Sequence, residues 1–204
     1  MPMLTYQRLP ANPKQFVEFW SLRYEYAIEN LYIDNIRQEL TGPRILNLFH
    51  WKNGTRLSKR KETSVNHNFI QRKNELAQLQ PNESAEDFAK DFLDRFNNGG
   101  AIWRIFWLHC WKPDRFPIYD QHVHRAMVFI KTGVREKISQ DDPQKIKAYI
   151  HSYLPFYYDN FADFDERERA VDKALWAFGK FIKISNFPLA APNENRQQIH
   201  QPDC

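Results

Sequence analysis

The sequence predicts an all-α protein, and three observations support this prediction. Apolar residues recur at helical spacing in several segments, only 6 of the 204 residues are glycine, and alternating runs of β-branched residues are scarce. The 16 Phe, 9 Tyr and 6 Trp residues supply enough apolar surface for a substantial core. Because 204 residues suffice for one core of ordinary size, we expect a single domain over residues 1–187 and a flexible polar tail over residues 188–204.

The N-terminal half carries helix signals of unequal strength. Asn12-Pro13 favours a helix start, because Asn caps helices well and Pro suits the first turn. This helix is expected to run to about Asn30. The segments that follow are expected to form a short helix over residues 34–40, a basic loop over residues 52–63 and a weakly periodic helix over residues 64–79.

The helix signals in the C-terminal half of the sequence are stronger. Ser84 is expected to cap a helix whose apolar residues follow the i, i+3, i+4 rule and which ends at the Asn/Gly turn of residues 97–100. Residues 101–111, AIWRIFWLHCW, are apolar nearly all round, which indicates a helix buried on most sides. Further helices are expected over residues 121–131 and 142–154, and from Asp163 or Asp165 to about residue 182.

The formal net charge is +4, and the basic residues are concentrated in one stretch. Residues 52–73 include seven Lys or Arg residues and one acid, Glu62. Such a stretch can lie along a phosphate backbone, with Lys59, Arg60 and Lys61 as contacts, or can form an ordinary solvated surface. The sequence leaves both interpretations open.

The cysteine content and the hydropathy pattern limit the class of protein. Cys110 and Cys204 are too few for an iron–sulfur cluster, and their contexts do not suggest a disulfide. No apolar run approaches the roughly 18 residues of a membrane span, and residues 1–16 lack the features of a signal peptide. We therefore expect a cytoplasmic, intracellular protein with no membrane partner and an undetermined oligomeric state.

The Asn/Gly turn between two amphipathic helices is the first candidate binding feature. Asn98, Gly99 and Gly100 accept left-handed backbone angles, so successive N–H groups can point outward at the start of the next helix. Outward N–H groups at a helix N-terminus form a seat for phosphate. The alternative is an ordinary linker between core helices, since Gly-Gly turns are common.

Asp120 is the second candidate. It follows residues 116–119, FPIY, which Pro tends to hold extended, and it directly precedes a helix. The positive helix end would keep its carboxylate ionised at neutral pH. A plain N-cap is the alternative, but a carboxylate fixed near a nucleic acid could also stabilise the oxocarbenium-like sugar cation that forms as an N-glycosidic bond breaks.

Residues 97–125 resemble the helix-hairpin-helix DNA glycosylase superfamily, which includes endonuclease III and the adenine and 8-oxoguanine glycosylases. In that family a glycine-rich hairpin is followed, about twenty residues after its last glycine, by the pattern D-x-H-[IV]-x-R, whose Asp is catalytic. Here Gly100 precedes Asp120 by 20 residues, and residues 120–125, DQHVHR, match the pattern in order. The resemblance directly covers about thirty residues.

The resemblance implies a helix-hairpin-helix DNA glycosylase-like bundle of about eight helices and a function in base-excision repair. Asp120 would be the catalytic carboxylate, and the backbone of residues 98–100 would contact phosphate. His122 and Arg125 occupy motif positions and are expected to orient neighbouring elements. Binding to duplex DNA should weaken as the salt concentration rises.

Three departures from the family pattern matter. Asn98 replaces the usual first hairpin glycine, Ile102 replaces the Schiff-base lysine of lyase-competent relatives, and the four-cysteine cluster of some relatives is absent. Without that amine, β-elimination is not expected unless another lysine substitutes, so we expect a monofunctional N-glycosylase. The alternatives are a non-catalytic DNA-binding module on the same scaffold and a helical interaction protein in which Asp120 is only a cap.

The remaining candidates surround these two features. Trp103 and Tyr119 are expected to line a pocket for an extruded base, with a place in the core as the alternative for both. Arg104 is expected to reach a phosphate or to extend from the core. His109 and Cys110 lie on an apolar helix without zinc-type spacing, so we expect no metal and no other cofactor.

Overall fold

The computed structural model describes residues 12–80, 84–165 and 169–184, and all regular structure in these ranges is helical. The α-helices are α1 (Pro13–Ser21), α2 (Asn30–Ile33), α3 (Gly42–Asn53), α4 (Lys59–Val65), α5 (Ala85–Arg95), α6 (Ala101–Trp111), α7 (Gln121–Thr132), α8 (Asp142–Ala148), α9 (Leu154–Phe161) and α10 (Ala170–Ile184). The all-α prediction is therefore confirmed, while the predicted tail over 188–204 lies outside the described residues. None of the described helices is both long and apolar enough to cross a lipid bilayer.

Helix α1 begins as predicted and ends earlier than predicted. The Asn12 side chain caps it, accepting the N–H groups of Lys14 at 2.7 Å and Gln15 at 3.4 Å. The helix ends at Ser21, so the predicted extension to Asn30 is wrong. Residues 24–26 belong to no helix, and their two tyrosines contact distant parts of the chain, so tertiary contacts override the local helix signal.

The basic stretch is largely helical, and the predicted long loop over residues 52–63 is wrong. Helix α3 continues to Asn53 and α4 begins at Lys59, which leaves residues 54–58 as the connection. Ser58 caps α4 by accepting the N–H of Lys61 at 3.4 Å. The helix predicted over residues 34–40 is replaced by α2, which lies earlier in the chain.

A π-helical turn at Asn66–Ile70 and a 3₁₀ segment at Lys73–Gln78 replace the weakly periodic helix predicted for residues 64–79. A second π-helical turn, Tyr149–Tyr153, joins α8 to α9, so the helix that was expected to end at residue 154 continues to Phe161. Pro155 is tolerated because it lies in the first turn of α9.

The predictions for α5, α6 and α7 are confirmed. Ser84 caps α5 by accepting the N–H of Asp87 at 3.2 Å. Eight of the eleven residues of α6 are buried, as its apolar sequence predicts. Helix α7 begins directly after Asp120 and ends at Thr132, before Gly133 in the left-handed conformation.

Helices α7 and α10 approach each other closely at Gly179. A Cβ atom added at Gly179 would lie 1.9 Å from the backbone oxygen of His122, so only glycine fits there. The guanidinium of Arg125 donates to the Gly179 carbonyl at 3.0 Å and joins the same two helices. The first turn of α7, and with it Asp120, is thereby fixed against α10.

Replacing Gly179 with alanine should destabilise the protein strongly, because the new methyl group meets backbone that has no side-chain freedom. We expect a loss of unfolding free energy of about 3 kcal/mol, measured by urea denaturation. Gly133→Ala is the control, since Gly133 has φ +72° but no atom within 4 Å of the added Cβ; its cost should be about 1 kcal/mol. Equal losses in the two variants would argue against the close contact.

Candidate functional site

A narrow cleft opens beside the N-terminus of α7. We call it the Asp120 cleft. Its lining combines aromatic and charged side chains from the segment after α1, the end of α3, the start of α7 and α10: Tyr24, Tyr26, Trp51, Lys52, Ile118, Asp120, Val123, Arg169, Asp172 and Trp176. The space inside it that is open to water-sized molecules is about 30 Å³, which is room for about two waters.

Asp120 serves both as a helix cap and as a cleft residue. Its Oδ1 accepts the N–H groups of His122 at 2.7 Å and Val123 at 3.0 Å. Its Oδ2 lies 3.7 Å from Nζ of Lys52, and its side chain is 20% exposed. Burial alone would raise the pKa of Asp120, but the Lys52 ammonium, His122 and the two N–H groups outweigh it and hold the pKa below the usual range. The carboxylate is therefore ionised at neutral pH, as predicted.

Lys52 does not belong to an exposed basic surface. Its side chain is only 5% exposed, and its Nζ donates to the Tyr119 carbonyl at 3.2 Å in addition to its contact with Asp120. The ammonium also lies 5.5 Å from the centre of the Phe106 ring. Burial lowers the pKa of Lys52, while Asp120 and Asp172 oppose that shift. Lys52 thus places a buried amine directly beside the candidate carboxylate.

Arg169 and Glu29 form an ion pair behind the cleft. The Arg169 guanidinium donates to Oε1 of Glu29 at 2.8 Å, and Oε2 accepts from the Tyr24 hydroxyl at 2.7 Å and the Trp51 indole N–H at 2.9 Å. The guanidinium also lies over the Tyr32 ring at 4.0 Å and the Trp51 ring at 4.8 Å. This network joins the segment after α1 to α3 and to the start of α10.

Asp172 is the most deeply buried acid of the cleft. Its side chain is 3% exposed, and Oδ2 lies 3.8 Å from Nε of Arg169. Its Oδ1 is buried and has no hydrogen-bond partner. Burial raises the pKa of Asp172 to about 6, although Arg169, Lys52 and the backbone N–H of Ile118 act in the opposite direction. No sequence pattern singles out Asp172, which lies among the apolar buried residues of α10.

Three partly exposed aromatic rings form one wall of the cleft. The ring centres of Tyr24 and Tyr26 are 6.1 Å apart, and the planes of the two rings are nearly parallel. The Trp176 ring stands at steep angles to both, at 5.2 Å from Tyr24 and 5.7 Å from Tyr26. Partly exposed rings of this kind are platforms for flat ligands. The i, i+2 spacing of the two tyrosines is the sequence signal for this wall, because residues two apart share a face in an extended segment. The helix predicted to Asn30 would place them on opposite faces.

The two residues predicted to line a base pocket do not line the Asp120 cleft. Tyr119 is fully buried, its hydroxyl lies 2.7 Å from Nδ1 of His124, and its ring packs against Tyr149 and Tyr153. It is a core residue because the backbone turns its side chain to the opposite side from Asp120. Trp103 packs 5.2 Å from the Phe49 ring and is likewise not part of the cleft wall.

The Asn/Gly hairpin has the predicted left-handed conformation only at Gly99, and its first helical N–H has a partner within the protein. Gly99 has φ +90°, and residues 97–100 are exposed. The first N–H of α6, from Ala101, donates to Oδ2 of Asp142 at 3.0 Å. An internal carboxylate thus occupies the position expected for a phosphate. No hairpin residue lines the Asp120 cleft.

The basic residues divide between the surface and the core. Lys59, Arg60 and Lys61 are exposed, and Nζ of Lys61 donates to Asn53 at 2.6 Å and lies 5.9 Å from the Trp103 ring near the start of α6. The predicted contact at Arg104 is wrong. Its guanidinium is buried and donates to the carbonyls of Phe96, at 2.7 Å, and Leu93, so it satisfies the end of α5 instead of facing solvent.

His122 and Arg125 support the cleft from behind. Arg125 joins α7 to α10 through Gly179, as described above. Nδ1 of His122 lies 3.4 Å from the Arg125 guanidinium, and its ring lies 5.3 Å from the Trp176 ring. Both residues hold the first turn of α7 and the aromatic wall in place, which agrees with the orienting role expected for them.

The described residues contain no group of three His, Cys, Asp or Glu side chains placed to share a metal ion. Comparison of the chain with protein-family models, with curated proteins and with solved structures finds no match.

The buried charge at Asp172 should cost stability at neutral pH. Because its folded pKa is about 6 and its ordinary value is 3.8, the folded state holds the proton more tightly, and stability falls as the pH rises from about 4 to 6. Asp172→Asn removes this charge and should be more stable than the wild type at pH 7.5, by up to about 3 kcal/mol. The difference should shrink towards pH 4.

Urea unfolding of both proteins at pH 4, 6 and 7.5 measures this trend. The difference between their unfolding free energies at each pH removes the contribution of every other titrating group that behaves alike in both proteins. An advantage of the variant that decreases as the pH rises would contradict the assignment.

Proposed function

We propose that the protein is a DNA N-glycosylase of the helix-hairpin-helix type that removes a damaged or mismatched base. The observation that carries the proposal is Asp120, an ionised carboxylate that is held by the first N–H groups of α7 and has one oxygen directed at an aromatic cleft. Its motif, residues 120–125, and its distance from Gly100 support the same function.

In the proposed reaction a nucleotide leaves the duplex and its base enters the Asp120 cleft. The bond between C1′ and the base nitrogen breaks, and its electron pair leaves with the base, which takes up a proton. Positive charge develops on the sugar, and the Asp120 carboxylate stabilises it. Water then adds to C1′ and loses a proton, which leaves an abasic site.

The cleft must widen for this reaction. A base is larger than the space for two waters found here, so the proposal requires Tyr26 and Trp176 to move apart when a nucleotide enters. Both side chains are partly exposed, which permits such a movement.

The proposal predicts base release without strand cleavage. Ile102 offers no amine, and the Lys52 amine is engaged by the Tyr119 carbonyl and by Asp120. We propose that Lys52 holds Asp120 in position and that the abasic strand remains intact until alkali is added.

Phosphate binding is proposed at the Asn/Gly hairpin, with the exposed Lys59, Arg60 and Lys61 as further contacts. Binding by these groups is electrostatic and should weaken with salt. The occupied Ala101 N–H and the narrow cleft favour a second candidate, a DNA-binding module without catalysis. It predicts salt-dependent binding of duplexes with no base release.

Asp120→Asn should abolish base release while leaving DNA binding nearly unchanged. The wild type and the variant are incubated with duplexes that contain a panel of damaged or mismatched bases, and strand breaks are counted with and without alkali. We expect breaks only after alkali, and at least about a hundredfold slower release by the variant, because the developing cation loses its counter-charge.

Asp141→Asn is the matched control, because Asp141 caps α8 by accepting the N–H of Gln144 at 3.2 Å and does not line the cleft. Equal loss of release in both variants would point to a general effect of removing a cap. Wild-type binding without base release on any duplex would favour the non-catalytic module.

Asp142→Asn should strengthen DNA binding if the hairpin is a phosphate seat. The substitution removes the negative charge beside the Ala101 N–H and leaves only a weaker, neutral acceptor, which a phosphate oxygen can displace more easily. We expect about a three- to tenfold tighter complex with duplex DNA at low salt, measured by fluorescence anisotropy.

Asp141→Asn again serves as the control, since it removes the same charge one residue away without touching the hairpin. An equal gain in both variants would mean that net charge alone is responsible. Unchanged or weaker binding by Asp142→Asn would exclude the hairpin as the seat.

A further inference from the structure

One carboxylate oxygen of Asp172 is buried and has no hydrogen-bond partner in the described part of the chain. Buried carboxylate oxygens without a hydrogen bond are rare in folded proteins because their loss of hydration is uncompensated. Oδ1 of Asp172 is such an atom, and the residue lines the Asp120 cleft.

Neither neighbouring cation donates a hydrogen bond to Oδ1, although Nε of Arg169 is itself buried without a hydrogen-bond partner. The Arg169 guanidinium donates to Glu29, and its Nε lies 3.8 Å from the other oxygen of Asp172, beyond hydrogen-bond distance. The Lys52 ammonium donates to the Tyr119 carbonyl and lies beside Asp120. The backbone N–H of Ile118 also acts on the carboxyl group, yet Oδ1 has no hydrogen-bond partner among the described residues.

Asp172 lies in the same cleft as the aromatic wall, but deeper. Tyr24, Tyr26 and Trp176 can hold a flat ring at the mouth, and Asp172 lies deeper among the residues that line the same space. A ring held by that wall would direct one edge inward. An ionised carboxylate attracts an N–H on that edge and repels a carbonyl or an unprotonated ring nitrogen.

We propose that Asp172 determines specificity by accepting an N–H from the inner edge of a nucleobase held against Tyr24, Tyr26 and Trp176. This inference rests on the proposed function and narrows its substrate class to bases that carry an N–H donor on the edge opposite the sugar. The waters that fit the cleft are displaced when the base enters. Methylation of the donor nitrogen removes the hydrogen bond and leaves the carboxylate buried without a partner.

Free bases test this recognition apart from any reaction on DNA. The probes are 9-methylhypoxanthine and 9-methyladenine, each paired with a counterpart whose donor nitrogen is blocked, 1,9-dimethylhypoxanthine and N6,N6,9-trimethyladenine. Binding to the full chain is measured by ligand-observed NMR titration at pH 7.5. For at least one pair we expect the donor-bearing base to bind about tenfold tighter or more, the usual gain from a hydrogen bond to a charged group.

Two substitutions assign the preference to Asp172. The measured quantity is the ratio of the affinity for the donor-bearing base to the affinity for its blocked counterpart. Asp172→Asn retains a weaker, neutral acceptor and should reduce this ratio, and Asp172→Ala should bring it close to one. Asp141→Asn is the control, because it removes an acid that caps α8 and does not line the cleft, so the ratio should be unchanged. Asp172→Asn also guards against misfolding as the cause of a reduced ratio, since this variant is expected to be at least as stable as the wild type.

The outcomes separate this inference from the proposed function. The expected ratio in the wild type and its loss in Asp172→Ala support the inference, even if no duplex loses a base. Equal binding within both pairs, a ratio retained in Asp172→Ala, or no binding of any probe would overturn the inference. Base release from duplexes by the wild type could still stand in those cases.

Discussion

The buried ion pair between Arg169 and Glu29 holds the surroundings of the cleft together. Two charges with side-chain exposures of 7% and 17% have lost much of their hydration, and such a pair persists only where further hydrogen bonds satisfy it. Glu29 receives donors from Arg169, Tyr24 and Trp51. Three separate parts of the chain are thus tied to one carboxylate, and the aromatic wall depends on it for its position.

The same constraint explains why the cleft is charged at its base. With Arg169 paired to Glu29, the acid Asp172 and the amine of Lys52 lie close to one another and to Asp120 in a region of low hydration. Each affects the pKa of the others, and the balance keeps Asp120 ionised while the pKa of Asp172 lies near 6. A group that is kept at a cost to folding is characteristic of a site selected for binding or chemistry.

The contact between α7 and α10 supplies the second part of the geometry. Gly179 lets the backbones approach, and Arg125 fastens them. Asp120 caps the helix whose first turn is held in this way, so its carboxylate is fixed by backbone and not by a mobile loop. Orientation of this kind is what electrostatic stabilisation of a short-lived cation requires.

Local sequence was a reliable guide where the information is itself local. Capping preferences and apolar periodicity predict the caps at Asn12, Ser84 and Asp120, the Asn/Gly turn and the helices α5 to α7. The same local signals identify Asp120 as an ionised carboxylate. Periodicity misled after Ser21, because Tyr24 and Ala27 continue the helical spacing of the apolar residues of α1.

The helical class of the protein, most helix starts in the C-terminal half and the chemical character of Asp120 thus follow from local sequence alone. Helix packing places Tyr119 and Arg104 in the interior, sets Asp142 against the hairpin N–H, and brings Lys52 and Asp172 into the space beside Asp120. Capping and periodicity act over a few neighbouring residues, whereas a cleft is made by residues more than a hundred positions apart, and their meeting depends on how whole helices pack.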